Sequence, residues 1–177
     1  MKTIIAGSRN LSGFKIVSEA VRLSGFQISE VVSGKAPGID RDGEKWAQFY
    51  GIPIKPFPAK WNDLSNRDKV IRINAQGQKY DARAGSRRNK HMAKYADALV
   101  AIWDGKSKGT RDMISWAKKY LKPENIFIHR TDKSKASNEK PSRPIKIIRD
   151  GELFKQIHEP VMTGPRGASK PVEGAPF

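Results

Sequence analysis

Apolar residues over the first 130 positions fall into short β-branched runs separated by longer segments of helical period. Residues 2–6 form an apolar strand ended by Gly7, and residues 14–24 set Val17, Ala20 and Val21 on one helix face before Gly25 stops it. Residues 28–32 repeat the strand. A helix through Trp46, Ala47 and Tyr50 follows and ends at Gly51-Ile52-Pro53, and residues 54–57 offer a third strand. Residues 98–103, Ala-Leu-Val-Ala-Ile-Trp, make the clearest buried strand in the chain. A helix around residues 88–95 precedes it, while a helix over 110–120 and a last strand over 125–129 follow. Strands that alternate with helices over short connections predict an α/β domain, a parallel sheet covered by helices on both faces.

Two regions break this rhythm. Residues 62–84 are polar and without clear period, which in a compact domain predicts a functional or mobile loop. Beyond Arg130, residues 131–144 are rich in Lys, Ser, Asn and Pro and read as a linker; 145–148 and 153–157 add a little apolar material, and 163–177 has the composition of a disordered tail. The expected organisation is one domain over residues 1–130 and a basic, partly disordered extension over 131–177. No internal repeat is visible.

With 177 residues and 37% hydrophobic content, the chain can supply one sizeable core. The absence of cysteine excludes disulfides, thiolate metal sites and cysteine nucleophiles. His91, His129 and His158 lack the spacing of a metal site, so neither a metal nor another cofactor is expected. No apolar run approaches a membrane span or a signal peptide, and a cytoplasmic protein that makes no use of the membrane is the expectation. The net charge is +16; residues 1–129 carry 24 Lys and Arg against 12 Asp and Glu, and residues 130–177 carry 10 against 6. Most of the excess therefore lies on the folded part. It predicts an anionic partner, either a phosphate-bearing small molecule or nucleic acid bound non-specifically and salt-sensitively. A homo-oligomer stays open.

In a parallel sheet every strand delivers its following loop to one edge. The loops after the first, second and fourth strands hold Gly7-Ser8-Arg9, then Ser33-Gly34 with Gly38 and Asp40, then Trp103-Asp104-Gly105 with Ser107, Gly109 and Thr110. Small residues let backbone amides approach a ligand, and the helix start that follows offers unpaired N–H groups to an anion; equally, such glycines make tight turns. Arg87, Arg88 and Asn89 enter the helix before the fourth strand. Adjacent arginines on a helix point about 100° apart, so one is expected to bind and the other to be solvated; the planar guanidinium fork suits phosphate. Asp40 either accepts a sugar hydroxyl or caps its helix, and Asp112 is either a catalytic carboxylate or a favourable charge in a first helical turn. Trp61 and Trp103 are candidates for stacking on a base or for packing, whereas Trp46 and Trp116 sit at core-like positions.

These segments, Ile-Ile-Ala-Gly-Ser-Arg, Val-Ser-Gly-x-Ala-x-Gly-x-Asp, Pro-Phe-Pro-Ala-x-Trp, Ala-Gly-x-x-Arg-Asn-x-x-Met and Ile-Trp-Asp-Gly-x-Ser-x-Gly-Thr, occur in this order over residues 1–129. The pattern resembles the YspA/YpsA-related branch of the SLOG superfamily, found in bacteria and their phages. The resemblance implies a Rossmann-like sheet with a nucleotide-phosphate crevice. Superfamily members include the LOG phosphoribohydrolases, which cleave the base from a nucleoside monophosphate, sensors of nucleotide derivatives, ADP-ribose-like compounds among them, and the DNA-processing protein DprA. By this resemblance Ser33, Gly34, Gly38 and Asp40 belong to the loop after the second strand, and Ser107, Gly109 and Thr110 to the phosphate loop, with a serine in place of a glycine. Arg88, four residues before Met92, takes the position of the LOG catalytic arginine. The LOG glutamate position holds Met113, with Asp112 one residue earlier. The implied function is binding of a nucleotide or nucleotide derivative; the alternatives are N-glycosidic hydrolysis through Arg88 and Asp112, and nucleic-acid binding.

Overall fold

The computed structural model describes residues 1–132 and the backbone of two short strands beyond them. Those strands, Ile148–Arg149 and Glu152–Leu153, pair antiparallel. The readings of a linker and a disordered tail otherwise lie outside the described residues.

The elements run β1 (Lys2–Gly7), α1 (Phe14–Ser24), β2 (Glu30–Ser33), α2 (Ile39–Phe49), β3 (Ile54–Pro56), β4 (Ile71–Ile73), β5 (Lys79–Asp81), α3 (Ala84–Tyr95), β6 (Ala98–Trp103), α4 (Lys108–Tyr120) and β7 (Ile126–Arg130). Five strands form one parallel sheet in the order β3-β2-β1-β6-β7. Alternation along the strands splits the core in two. Ile5, Val31, Val100 and Ile102 face one side with Val17 and Val21 of α1 and Ile39 and Trp46 of α2. Ile4, Val32, Leu99 and Ala101 face the other, with Met92 of α3 and Met113 and Ile114 of α4. Both sheet faces are thus covered by helices, and β1 and β6 at the centre are apolar on both sides.

The structure corrects the reading of residues 62–84 as a loop without period. It contains the antiparallel hairpin β4–β5. Two features hid it. Both isoleucines of β4 are exposed, so no buried face imposes alternation. The strands are joined by residues 74–78, where Gly77 takes φ +75 and its N–H donates to Asn74 O at 3.0 Å. The other differences are shifts of element ends: β2 begins at Glu30, α3 already at Ala84, and α4 at Lys108 behind the N-cap Ser107.

Asp81, fully buried, fastens this segment to the domain. Its Oδ1 accepts the N–H groups of Val70 and Arg83, each at 3.0 Å, and its Oδ2 accepts a hydrogen bond from Arg87, whose other branch reaches Asp68 at 3.1 Å. Chiefly through the Arg87 hydrogen bond, the Asp81 carboxyl is pulled down to about 2. A folded-state value below the unfolded one contributes stability that is present above about pH 4 and lost as the pH falls through 2. Urea midpoints should therefore drop between pH 4 and pH 2 in the wild type and drop less steeply in Arg87→Gln. An unchanged slope in that variant contradicts the assignment.

Candidate functional site

After β1 the chain turns towards β2 and β3, and after β6 it turns the other way, to β7. In open parallel sheets this reversal leaves a crevice at the carboxyl ends of the two central strands. Here it measures about 440 Å³, within the range of small-molecule sites. α3 and α4 both begin at this edge.

Several candidate residues come together there. Gly7, Arg9, Asp40, Arg88, Asn89, Ser107, Gly109, Thr110 and Asp112 all line the crevice. Arg88 crosses it from α3: its Nη1 donates to the carbonyl of Gly34 and lies 3.8 Å from Asp40 Oδ2. Its Nε is buried without a hydrogen-bond partner among the described residues. Burial pulls the Arg88 pKa down, opposed mainly by the Asp40 carboxylate. Asp40 is 4% exposed, and burial raises its carboxyl to about 6 although Arg88 lies beside it. It does not cap α2; it stands in the first turn and accepts the Ala36 N–H at 3.4 Å.

Across the crevice, Asp112 accepts hydrogen bonds from Ser86 Oγ at 2.9 Å and from Asn89 Nδ2 at 2.8 Å. Met113, at 1% exposure, belongs to the hydrophobic core. α4 is capped by Ser107, whose Oγ accepts the Thr110 N–H at 3.4 Å, and its first turn holds no acidic residue. The first N–H groups of a helix have no partner within it, and a Cβ added at Gly109 would meet nothing within 4 Å. The Ser107 N–H is held by Asp104 Oδ1 at 2.8 Å and the Thr110 N–H by the cap, which leaves the Lys108 and Gly109 N–H groups for an anion. The first turn of α2, by contrast, carries two carboxylates, Asp40 and Asp42.

Other candidate residues build the walls. Ser8, buried, accepts the Asp104 N–H on its Oγ at 3.3 Å, tying the β1 loop to the β6 loop. Gly38 has φ +81, and a Cβ there would approach the carbonyl oxygens of Ser8, Arg9 and Leu11 within 2.8 Å. Ser33 donates to Glu44 at 2.5 Å and accepts the Lys35 N–H at 3.0 Å. Gly34 borders a smaller side chamber rather than the main crevice. Trp103 donates from Nε1 to Ser107 O at 3.1 Å, and the guanidinium groups of Arg130 and Arg111 lie over its ring at 4.6 and 5.7 Å, so it braces the β6–α4 loop. Arg87 diverges from Arg88 and is engaged by Asp81 and Asp68.

Trp61, which the sequence offered for stacking or for packing, also lines the crevice, and so does Ser86, which the sequence did not single out. A Cβ at Gly85 would come within 2.9 Å of the Trp61 ring, so the glycine makes room for the indole against α3. The Ala-Gly-Ser-Arg run held that signal, but the tryptophan is 24 positions away and only the fold pairs them. Among the described residues no three His, Cys, Asp or Glu side chains gather as a metal site, and no helix is long and apolar enough to cross a membrane.

No family model matches the chain, and no curated protein or solved structure matches it. The crevice is therefore read from its own chemistry: an open helix start and a guanidinium for an anion, two carboxylates for hydroxyl groups, and an indole at the rim.

The raised Asp40 has a stability consequence of opposite sign to Asp81. A carboxyl whose folded pKa lies above its unfolded one favours the fold at low pH, and this contribution is lost as the pH rises through about 6. From pH 4 to 7 the loss amounts to roughly 3 kcal/mol at 1.36 kcal/mol per unit. Asp40→Asn should flatten this part of the urea-stability profile and be the more stable protein at pH 7. A variant that keeps the wild-type profile over pH 4–7 contradicts the buried, uncompensated carboxyl.

Proposed function

We propose that the crevice binds a nucleotide or nucleotide-derived ligand, as the resemblance to the SLOG superfamily implies. The observation that carries this reading is Arg88, buried at the floor of the crevice with an unused Nε donor, opposite a helix start without acidic residues. A phosphate at the start of α4 would receive the Lys108 and Gly109 N–H groups, with Gly109 allowing close approach and Arg88 supplying a charge-assisted hydrogen bond. Sugar hydroxyl groups would donate to Asp40 and Asp112, and the base would lie towards Trp61, whose indole offers a stacking face.

Nucleoside monophosphates or ADP-ribose at millimolar concentration should raise the melting temperature, because a ligand of the native state adds stability by mass action. Arg88→Ala should bind the stabilising nucleotide at least tenfold more weakly, matching about 1.5–3 kcal/mol for a hydrogen bond to a charged group. Arg87→Ala should bind it less than threefold more weakly. Equal losses in the two variants, or no thermal shift with any nucleotide, overturn the reading.

One observation favours a second reading, an N-glycosidic hydrolase. Asp112 stands in the crevice with its carboxylate oriented by Ser86 and Asn89, although the LOG glutamate position is the buried Met113. A carboxylate so held can steady a cation-like sugar or activate water. Base release from a nucleoside monophosphate, followed by chromatography, should then vanish in Asp112→Asn while calorimetric binding persists. Wild-type protein that binds nucleotide and releases no base leaves binding alone.

A further inference from the structure

Beside the main crevice lies a side chamber of about 170 Å³, bounded by the β2–α2 loop and Ala59, with Arg9, Trp61 and Arg88 shared between the two cavities. The chambers differ in charge. The main crevice presents the carboxylates of Asp40 and Asp112; among the described residues no carboxylate lines the side chamber, whose charged residues are Arg9, Lys35 and Arg88. The Lys35 ammonium is paired with Glu44 at 2.9 Å. Arg9 is exposed and forms no ion pair among the described residues. The side chamber thus has positive charge available and no carboxylate among its described lining residues, while the centre of the crevice presents Asp40 and Asp112, which accept hydroxyl groups and disfavour anions. The start of α4 provides an anion position on the far wall.

From this arrangement, and resting on the nucleotide reading above, we propose that the ligand is a ribonucleotide carrying anionic groups on both sides of its ribose, the second held in the side chamber by Arg9 and Arg88. The carboxylate-lined centre then receives the ribose, and the two phosphates lie where the carboxylates are not. Such a ligand is either a free nucleoside bisphosphate or the 5′-phosphorylated end of an oligonucleotide, whose next phosphodiester supplies the second charge. Both present the same chemistry to the site.

The test is calorimetry on the full chain, wild type and Arg9→Ala, with three sets of probes: the ribonucleoside 5′-monophosphates, the 3′,5′- and 2′,5′-bisphosphates, and 5′-phosphorylated dinucleotides. The wild type should bind at least one doubly charged probe tenfold or more tightly than the corresponding monophosphate. Arg9→Ala should lose fivefold or more of the affinity for that probe, and at least threefold more than it loses for the monophosphate. Preference for the bisphosphate or for the dinucleotide identifies the source. Equal affinity for singly and doubly charged probes, or equal losses for both in Arg9→Ala, overturns the second anion position and leaves the nucleotide reading standing. Absence of binding by every probe overturns both.

Discussion

The crevice depends on the burial of one guanidinium. Arg88 leaves α3, on one face of the sheet, and hydrogen-bonds the Gly34 carbonyl in the loop that leads to α2 on the other. Its place requires a glycine at 34, because a side chain there would run into the guanidinium and come within 2.7 Å of the Asp40 carboxylate. A buried cation must be compensated by hydrogen bonds and opposite charge, and Arg88 is compensated only in part: its Nε finds no partner among the described residues, and the carboxyl of Asp40 beside it is raised by burial to about 6. Two groups that each lose hydration without full mutual compensation are a cost to the fold and a preformed demand for a ligand.

The surrounding structure secures that arrangement. The central strands β1 and β6 are clad on both faces, and Ser8 links their loops. Asp81 and Arg87 hold the hairpin segment in place, and that segment carries Trp61 to the rim against Gly85. Of two adjacent arginines, one therefore anchors a wall and the other serves the floor. A side-chain carboxylate from α4, oriented by two donors from α3, completes the opposite side.

How much of this was legible follows from the kind of interaction involved. The inner sheet strands announce themselves because parallel strands buried on both faces read as continuous apolar runs, as in Ala98–Trp103, while the less buried edge strands β3 and β7 follow from the alternation with helices. The hairpin β4–β5 was missed because Ile71 and Ile73 are exposed and nothing buried selects a register. Among site residues, Gly109 and Thr110 were readable from local loop chemistry. Trp103 was not assignable, since a tryptophan at a strand end braces a loop or stacks on a base with the same local sequence; its bond to Ser107 O shows the brace. Trp61 and Gly85 required the tertiary fold, and so did the distinction between Arg87 and Arg88, which turns on carboxylates at positions 40, 68 and 81.

The most direct measurement of the central claim is a nitrogen–proton correlation spectrum of the labelled protein, with the arginine Nε signals resolved, during titration with a nucleoside monophosphate. A ligand phosphate at the start of α4 and an Arg88 donor freed for it predict saturable shifts of the Lys108 and Gly109 amides together with the Arg88 Nε resonance. Shifts confined to residues outside the crevice, such as Lys94 and Lys119 on the outer face of α3 and α4, or an Arg88 Nε signal that does not move while other resonances saturate, would contradict the account.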